Sequence, residues 1–402
     1  MIILKYIKRY WFITSMLVAL VLATLTGIFA PKEFVSNISP LGELFVNLMF
    51  TLVVPLVFFT ISSSIANMSG RTKLSRILFK TIVVFIITSA VSAFLMLGVL
   101  LFVDPVKDVI VVDGVAQDKS NVLLQIVSAI SVSDFKDLFS KSHMLALIIF
   151  SILFGISVRV VDKEKKIARG LKVISDAMLK MVKVVMCYAP IGVYAYFANL
   201  IKSYGDEIIS SYLIAFLIYI GVSAAYFLVF YPIYCYIAKG KVGIKTFFKH
   251  IWPSFTCSLA TQSSLASLPT NLEVAGEMEI DKEIRQVSLP LGATIHMEGS
   301  AIGSVLKIFF LFSVFSMTPS GFMTYFWAIV IAVASGVVMS GIPGGGLIGE
   351  MLIVSLYGFP LSAFTMIATI GWIIDAPATM LNVCGDIPSA MLIEKYVNEK
   401  DD

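Results

Sequence analysis

The last apolar stretch of the chain carries two aspartates, Asp375 and Asp386, with Thr379 and Asn382 between them. The four are spaced by four, three and four residues. At 3.6 residues per turn that spacing lines them along one helix face over about three turns. They make a continuous polar stripe on a segment that is otherwise mostly apolar. A carboxylate in such surroundings is expensive, on the order of 2.5–3.5 kcal/mol at the centre of a bilayer-inserted helix. It persists where it has a cation to bind. A hard metal ion takes several oxygens at once, and an organic ammonium takes fewer.

Three further polar interruptions break apolar runs upstream: Cys257–Pro269, Leu289–Ser300 and Ser335–Gly346. With Asp375–Asp386 they form two pairs. A Ser/Pro break precedes a helix broken at His296–Ser300, and a Gly/Pro break precedes a helix broken near Asn382–Asp386. Non-helical backbone at membrane depth exposes unpaired amides and carbonyls, which only protein or a wet cavity can receive. Paired interrupted segments in two half-repeats point to a transporter binding site. Each Ser/Pro or Gly/Pro break is therefore expected to be the tip of a re-entrant hairpin. At the second tip, three consecutive glycines, 344 to 346, let backbone approach a ligand closely.

The elements that must position these groups are hydrophobic. Apolar residues make up 58% of the 402 and charged residues 14%, with a mean hydropathy of +0.93. A soluble domain carries about 25% charge, so part of this chain's solvent must be lipid. Apolar runs at Trp11–Ala30, Leu44–Ala66, Thr81–Val103, His143–Val161, Leu179–Leu200 and Tyr212–Ala238 read as six spans. Basic connectors alternate with less basic ones. Gly70–Arg76, Asp162–Arg169 and Lys239–Lys249 are basic, whereas Asp104–Asn121 and Lys202–Ile208 are not. By the positive-inside rule the N-terminus lies in the cytoplasm; a cytoplasmic C-terminus and a prokaryotic inner membrane are also expected. The net charge of +4, with no basic face interleaved with aromatics, argues against nucleic acid. Cys187, Cys235, Cys257 and Cys384 have no metal-site spacing, and no cofactor is expected. No Ser/His/Asp constellation points to an enzyme.

Several segments together resemble the glutamate-transporter family, the dicarboxylate/amino-acid:cation symporters. Met49–Phe59 and Tyr188–Val193 look like that family's second and fifth helices, and Thr88-Ser89-Ala90 looks like its third-helix cation motif. Gln262–Pro269 resembles the first hairpin tip and Gly341–Gly346 the second. Leu289–Thr294 matches the start of the seventh helix, and Asn382-Val-Cys-Gly-Asp386 matches the eighth-helix Asn-x-x-Gly-Asp. His296-Met-Glu-Gly-Ser300 stands where the family usually has Asn-Met-Asp-Gly-Thr. The resemblance implies an all-α membrane protein of eight transmembrane helices and two re-entrant hairpins, with inverted repeats and an elevator mechanism. It also implies a homotrimer. Scaffold helices would occupy 1–70 and 106–206. A transport domain would occupy 71–105 and 207–402, with hairpins at about 244–278 and 322–358.

The same resemblance assigns roles. Asp375 would meet a substrate ammonium, with Asn382, Thr379, Ala378 and Ser300 beside it. Ser263, Ser264, Ile342, Gly345 and Gly346 would receive the substrate carboxylate. Sodium would sit at Gly292, Asn382 and Asp386, and a wider cation-binding set would include Thr88, Ser89, Thr294, His296, Met297 and Glu298. Members that take acidic substrates carry an arginine where this chain has Ala378, and a second where it has Gln262 or Ala376. Without that fork a buried second carboxylate has no partner. The expectation is a symporter for a small neutral amino acid such as serine, threonine, alanine or cysteine, with an acidic amino acid as the rival substrate. Sodium is the expected coupling ion. Glu298 and His296, replacing sodium-holding residues, keep a proton open as the alternative. Two more charges lie in apolar runs, Lys307 and Glu350. They either pair or reach toward an interface.

Overall fold

The computed structural model describes residues 2–67, 72–106, 131–140, 143–204, 206–319, 321–339 and 346–398. Among these residues the secondary structure is helical, without strands. In chain order the helices are α1 (Ile2–Phe29), α2 (Lys32–Ala66), α3 (Thr72–Leu100), α4 (Met144–Val161), α5 (Lys166–Met186), α6 (Ala189–Tyr204) and α7 (Asp206–Ala225). There follow α8 (Tyr231–His250), α9 (Trp252–Thr261), α10 (Ser264–Glu277), α11 (Lys282–Ile295), α12 (Glu298–Val314), α13 (Phe322–Met339), α14 (Gly346–Tyr357) and α15 (Leu361–Asn398). A single turn at Phe135–Leu138 precedes α4, and a π-helical segment, Tyr226–Phe230, joins α7 to α8.

Among the described residues four helical stretches are long and apolar enough to cross a membrane: Arg76–Leu100, Ile209–His250, Lys282–Val314 and Ser362–Asn398. Shorter apolar helices occur at Val18–Phe29, Val54–Ser63, Ala146–Val161 and Phe322–Gly336. Large apolar side chains point outward along them. Val21 and Phe94 are each 60% exposed and Leu217 59%. Apolar faces of this extent suit hydrocarbon rather than water.

The chain divides into two compact units. The first contains residues 1–69, 110–210 and 350–369. In it, α1 packs on α6, and α2 packs on α4, α5 and α6. Polar side chains link these helices. Thr26 and Tyr194 hydroxyls meet at 3.0 Å, Ser62 donates to the Ser151 carbonyl at 3.1 Å, and Asn67 Nδ2 donates to the Ala168 carbonyl at 2.8 Å. The second unit contains residues 70–109, 211–349 and 370–402. At its centre α12 packs on α3 and α13, and nearly every one of its residues is buried. A helix apolar all round belongs in such a core.

One span read from hydropathy is divided. Leu179–Leu200 is not a single helix, because α5 ends at Met186 and α6 begins at Ala189. Pro190 explains the break: it has no N–H to bond the Met186 carbonyl, and its ring clashes with a continuing helix. Cys187 and Tyr188 instead make tight turns back to Val184 and Val185.

Close approach also shapes the first unit. Gly192 of α6 lies directly against the buried ring of Phe45 on α2, so an added Cβ would meet Phe45 Cβ and Cγ. Small residues at membrane helix interfaces allow this proximity. Gly192→Ala is expected to force α2 and α6 apart and to cost about 1–3 kcal/mol. Gly170→Ala, where nothing lies within 4 Å of the new methyl, should be neutral or stabilising by up to about 1 kcal/mol. Thermal unfolding of both variants in detergent checks this. Equal melting temperatures would refute the packing argument.

Candidate functional site

The site is built around a helix break inside the second unit. α11 ends at Ile295, with the His296 amide still bonded to the Gly292 carbonyl at 3.0 Å. His296 is extended (φ −101°, ψ 98°), Met297 is also non-helical (φ −127°, ψ 60°), and α12 starts afresh at Glu298. A new helix start leaves amides without intrahelical acceptors. Asn382, from α15, supplies one: its Oδ1 accepts from Gly299 N at 2.8 Å and Ser300 N at 3.4 Å. Its Nδ2 is turned to Ser300 Oγ at 3.2 Å and Met297 Sδ at 3.1 Å. Asn382 thus caps α12 from a helix distant in sequence, with both ends of its amide engaged.

The residues between the two helices carry charge into the core. The His296 ring is fully buried and stacks on Phe85 of α3, with centroids 4.1 Å apart and planes at 12°. Its Nδ1 lies 2.9 Å from Asp386 Oδ1, and its Nε2 lies 2.8 Å from Thr88 Oγ1 and 3.5 Å from Glu298 Oε1. Glu298, also fully buried, accepts from Tyr226 at 2.8 Å and from Tyr231 at 3.0 Å. Tyr226 further meets the Thr88 carbonyl and the Tyr234 hydroxyl, each at 3.0 Å, and Tyr231 meets the Leu381 carbonyl at 2.7 Å. Ser92 donates to the Glu298 carbonyl at 3.1 Å. Buried polar groups need such partners, and removing one from a connected network leaves another stranded.

Local backbone makes this network possible. The π-helical turn at Tyr226–Phe230 has the Tyr231 amide bonded to the carbonyl five residues back. Pro232 lies just beyond and cannot donate within the helix. One residue per turn is gained, so Tyr226 and Tyr231, five apart, face the same way. On α15, an added Cβ at Gly385 would collide with the Glu298 carboxylate and come within 2.7 Å of the Tyr231 hydroxyl. Gly292 of α11 has the same relation to the Asp386 carboxylate. A buried carboxylate against Gly292 supplies oxygens of the kind a hard cation takes.

The other residues singled out from sequence fall as follows. Ser263 and Ser264 are buried at the break between α9 and α10, where Gln262 has a left-handed backbone (φ 49°) and Ser263 Oγ caps α10 by accepting from Ala266 N. The two helices pack on each other across this break. Asn271 of α10 donates to the Val383 carbonyl at 2.9 Å, fixing that helix against α15. Asp375 is half-buried, and Ala378 and Thr379 are buried, on the face of α15 that leads to Asp386. An added Cβ at Gly299 would come within 2.9 Å of the Ala378 Cα, so the start of α12 lies against α15 there. Ser89 is buried, with its carbonyl taken by Ser92 Oγ at 2.8 Å, and Thr294 Oγ1 bonds within α11 to the Leu291 carbonyl at 2.7 Å. Gly346 opens α14, and Ile342 and Gly345 lie outside the described residues. Lys307 and Glu350 are 4% and 1% exposed, in the interior of the protein.

The structure therefore brings together Thr88, His296, Glu298 and Asp386, and separately joins Asn382 to Met297, Gly299 and Ser300. The participants missed in the sequence are Phe85, Ser92, Tyr226, Tyr231 and Tyr234. Three tyrosines within nine residues of one apolar span were a usable signal, because each buried phenol needs a partner.

Comparison with known proteins agrees with this architecture. The chain matches the sodium:dicarboxylate symporter family over residues 12–396. It is 25% identical to the serine/threonine transporter SstT of Streptococcus agalactiae, covering 98% of this chain and 99% of that one. It is 26% identical to the proton/glutamate-aspartate symporter of Bacillus subtilis, covering 95% and 94% respectively. It is 25% identical to excitatory amino acid transporter 3 of Oryctolagus cuniculus, covering 97% and 86%. These relatives are transporters and not enzymes, and the apolar helices fit a multi-pass membrane protein. The match across nearly the whole chain places this protein in the sodium:dicarboxylate symporter family.

Proposed function

We propose that this protein is a secondary active symporter that brings a small neutral amino acid, of the serine, threonine, alanine or cysteine kind, into the cell. The observation that carries the reading is the chemistry of α15. It offers one carboxylate, Asp375, for an ammonium, and next to it only the buried Ala378. After Arg285 the sequence has no arginine, and its lysines there are Lys307, Lys395 and Lys400. A second substrate carboxylate would enter a low-dielectric site without a guanidinium to receive it. The name of the Streptococcus agalactiae relative supports a hydroxylated neutral substrate. An acidic amino acid is the alternative, supported by the name of the Bacillus subtilis relative.

In this reading the ammonium sits at Asp375, and the carboxylate meets Ser263, Ser264 and the amides of Ile342, Gly345 and Gly346. Thr379 and Ser300 border the side chain. Sodium is held at Gly292, Asn382 and Asp386, with the Asp386 carboxylate and backbone carbonyls as oxygens. The transport domain of residues 71–105 and 207–402 is the body carried across the membrane, and residues 1–70 and 106–206 form the scaffold. Eight spanning helices, two re-entrant hairpins related as inverted repeats, and a homotrimer in the inner membrane with cytoplasmic termini complete the proposal. A proton is the alternative coupling ion. What favours it is Glu298, a buried carboxyl surrounded by phenols that can exchange hydrogen bonds with either of its protonation states.

Three measurements test the reading. Asp375→Asn should lower neutral amino-acid affinity at least 100-fold, about 2.7 kcal/mol, while the half-buried position leaves the protein folded. Near-parental binding by the folded variant would remove Asp375 from the ammonium site. Ala378→Arg should raise the affinity ratio of aspartate to serine at least tenfold, read by competition against labelled serine. An unchanged ratio would show that this face of α15 does not meet the substrate side chain. In proteoliposomes, an inward sodium gradient should drive serine uptake that a pH gradient in sodium-free buffer does not. Equal uptake with the pH gradient alone would make the proton the coupling ion.

A further inference from the structure

Three oxygens converge where α3, α12 and α15 meet: Thr88 Oγ1, Glu298 Oε1 and Asp386 Oδ1. All three converge on one imidazole. His296 Nε2 lies 2.8 Å from the first and 3.5 Å from the second, and Nδ1 lies 2.9 Å from the third. A sodium ion bound by these oxygens would need the space that the ring fills.

The ring is held there by four constraints. It is fully buried and stacked face to face on Phe85. Its backbone amide is tied to the Gly292 carbonyl at 3.0 Å, and its residue forms the break between α11 and α12. Both nitrogens have partners. Swinging the ring out would take its partner from the buried Asp386 oxygen. Nδ1 meets Asp386 and Nε2 exchanges a hydrogen bond with Thr88, so both ring nitrogens are used. The Glu298 carboxyl is meanwhile met by two phenols. Every side chain that would form an ion cage is thus satisfied by protein atoms.

We propose that His296 is the resident occupant of this position: its imidazole stands in place of a diffusible cation between Thr88, Glu298 and Asp386, and no sodium binds among those three side chains. Sodium that drives symport must then be held away from the ring, by the Gly292 and Asn382 carbonyls with the second oxygen of Asp386. Replacing His296 with asparagine would exchange the ring for a shorter side chain carrying a hard carbonyl oxygen, and so open a cation site that the parent lacks. The inference rests on cation-coupled symport only for its consequence, since the occupancy itself follows from the geometry.

The test uses purified full-length protein without amino acid. Thermal unfolding is followed while sodium chloride replaces choline chloride at constant ionic strength. The parent, His296→Asn, Glu298→Gln and the double variant are compared. Glu298→Gln should leave the sodium response of the parent unchanged within about twofold in midpoint. His296→Asn should gain a new sodium-dependent rise in melting temperature of about 3 °C or more, lost again in the double variant. Loss of the parent's sodium response on Glu298→Gln would overturn the proposal. So would a folded His296→Asn protein with no added response. If His296→Asn does not fold, the comparison of parent with Glu298→Gln decides alone. None of these readouts involves the amino acid. Failure of the parent to take up serine in proteoliposomes would sink the symport reading and leave this result untouched.

Discussion

A helix that stops and restarts in a hydrocarbon-facing protein must find acceptors for its first amides in protein or a wet cavity, because lipid supplies none. The break at His296–Met297 imposes that demand on α12, and the second unit meets it with Asn382. The consequence spreads outward. Capping α12 from α15 fixes the register of the two helices, with Gly299 against Ala378 and Gly385 against Glu298. That register in turn lets Asp386 reach His296 while Asp375 lies three turns away along the same face. A cap that elsewhere would contribute about 1 kcal/mol here determines which residues can form a site.

The charges in this core are tolerated because none stands alone. Breaking a buried pair by removing one partner costs far more than the pair contributes. His296 is shared between Asp386 and Thr88, and Glu298 between two phenols supplied by one helix. The π-helical turn is what makes the second arrangement available. In a regular α-helix two residues five apart, as Tyr226 and Tyr231 are, would point about 140° apart, as five steps of 100° dictate. A local irregularity thereby substitutes for a longer or bulkier set of side chains.

The stripe of Asp375, Thr379, Asn382 and Asp386 and the breaks at Gln262 and His296–Met297 were readable in the sequence, because periodicity within one helix is a local property; the break expected near Asn382–Asp386 is absent, since α15 runs unbroken from Leu361 to Asn398 and its polar side chains find partners on other helices instead. The role of Asn382 as a cap was not, since its partners lie more than eighty residues upstream. The same holds for Phe85 and Thr88, whose contacts with His296 join residues about two hundred apart. The division of Leu179–Leu200 into α5 and α6 could have been read from Pro190, but mean hydropathy across the segment overrode that single residue. The break between α9 and α10 was visible as a serine cluster, and its left-handed residue, Gln262, was not, because glutamine does not announce a positive φ.

The substitution of glutamate for aspartate at 298 now has a structural meaning beyond charge. The extra methylene carries the carboxyl past the end of α12 to the backbone of Gly385, where the two phenols receive it. An aspartate at the same position is one methylene shorter and would hold its carboxyl farther from those phenols. The longer acid also stands back from the imidazole, at 3.5 Å from Nε2 against 2.8 Å for Thr88. His296 and Glu298 therefore fit each other: the ring takes the space in front of Asp386, and the glutamate withdraws into the tyrosine cluster behind it. Changing either residue alone would leave a gap or an unmatched acid, so the two departures from the family's usual pattern are physically one.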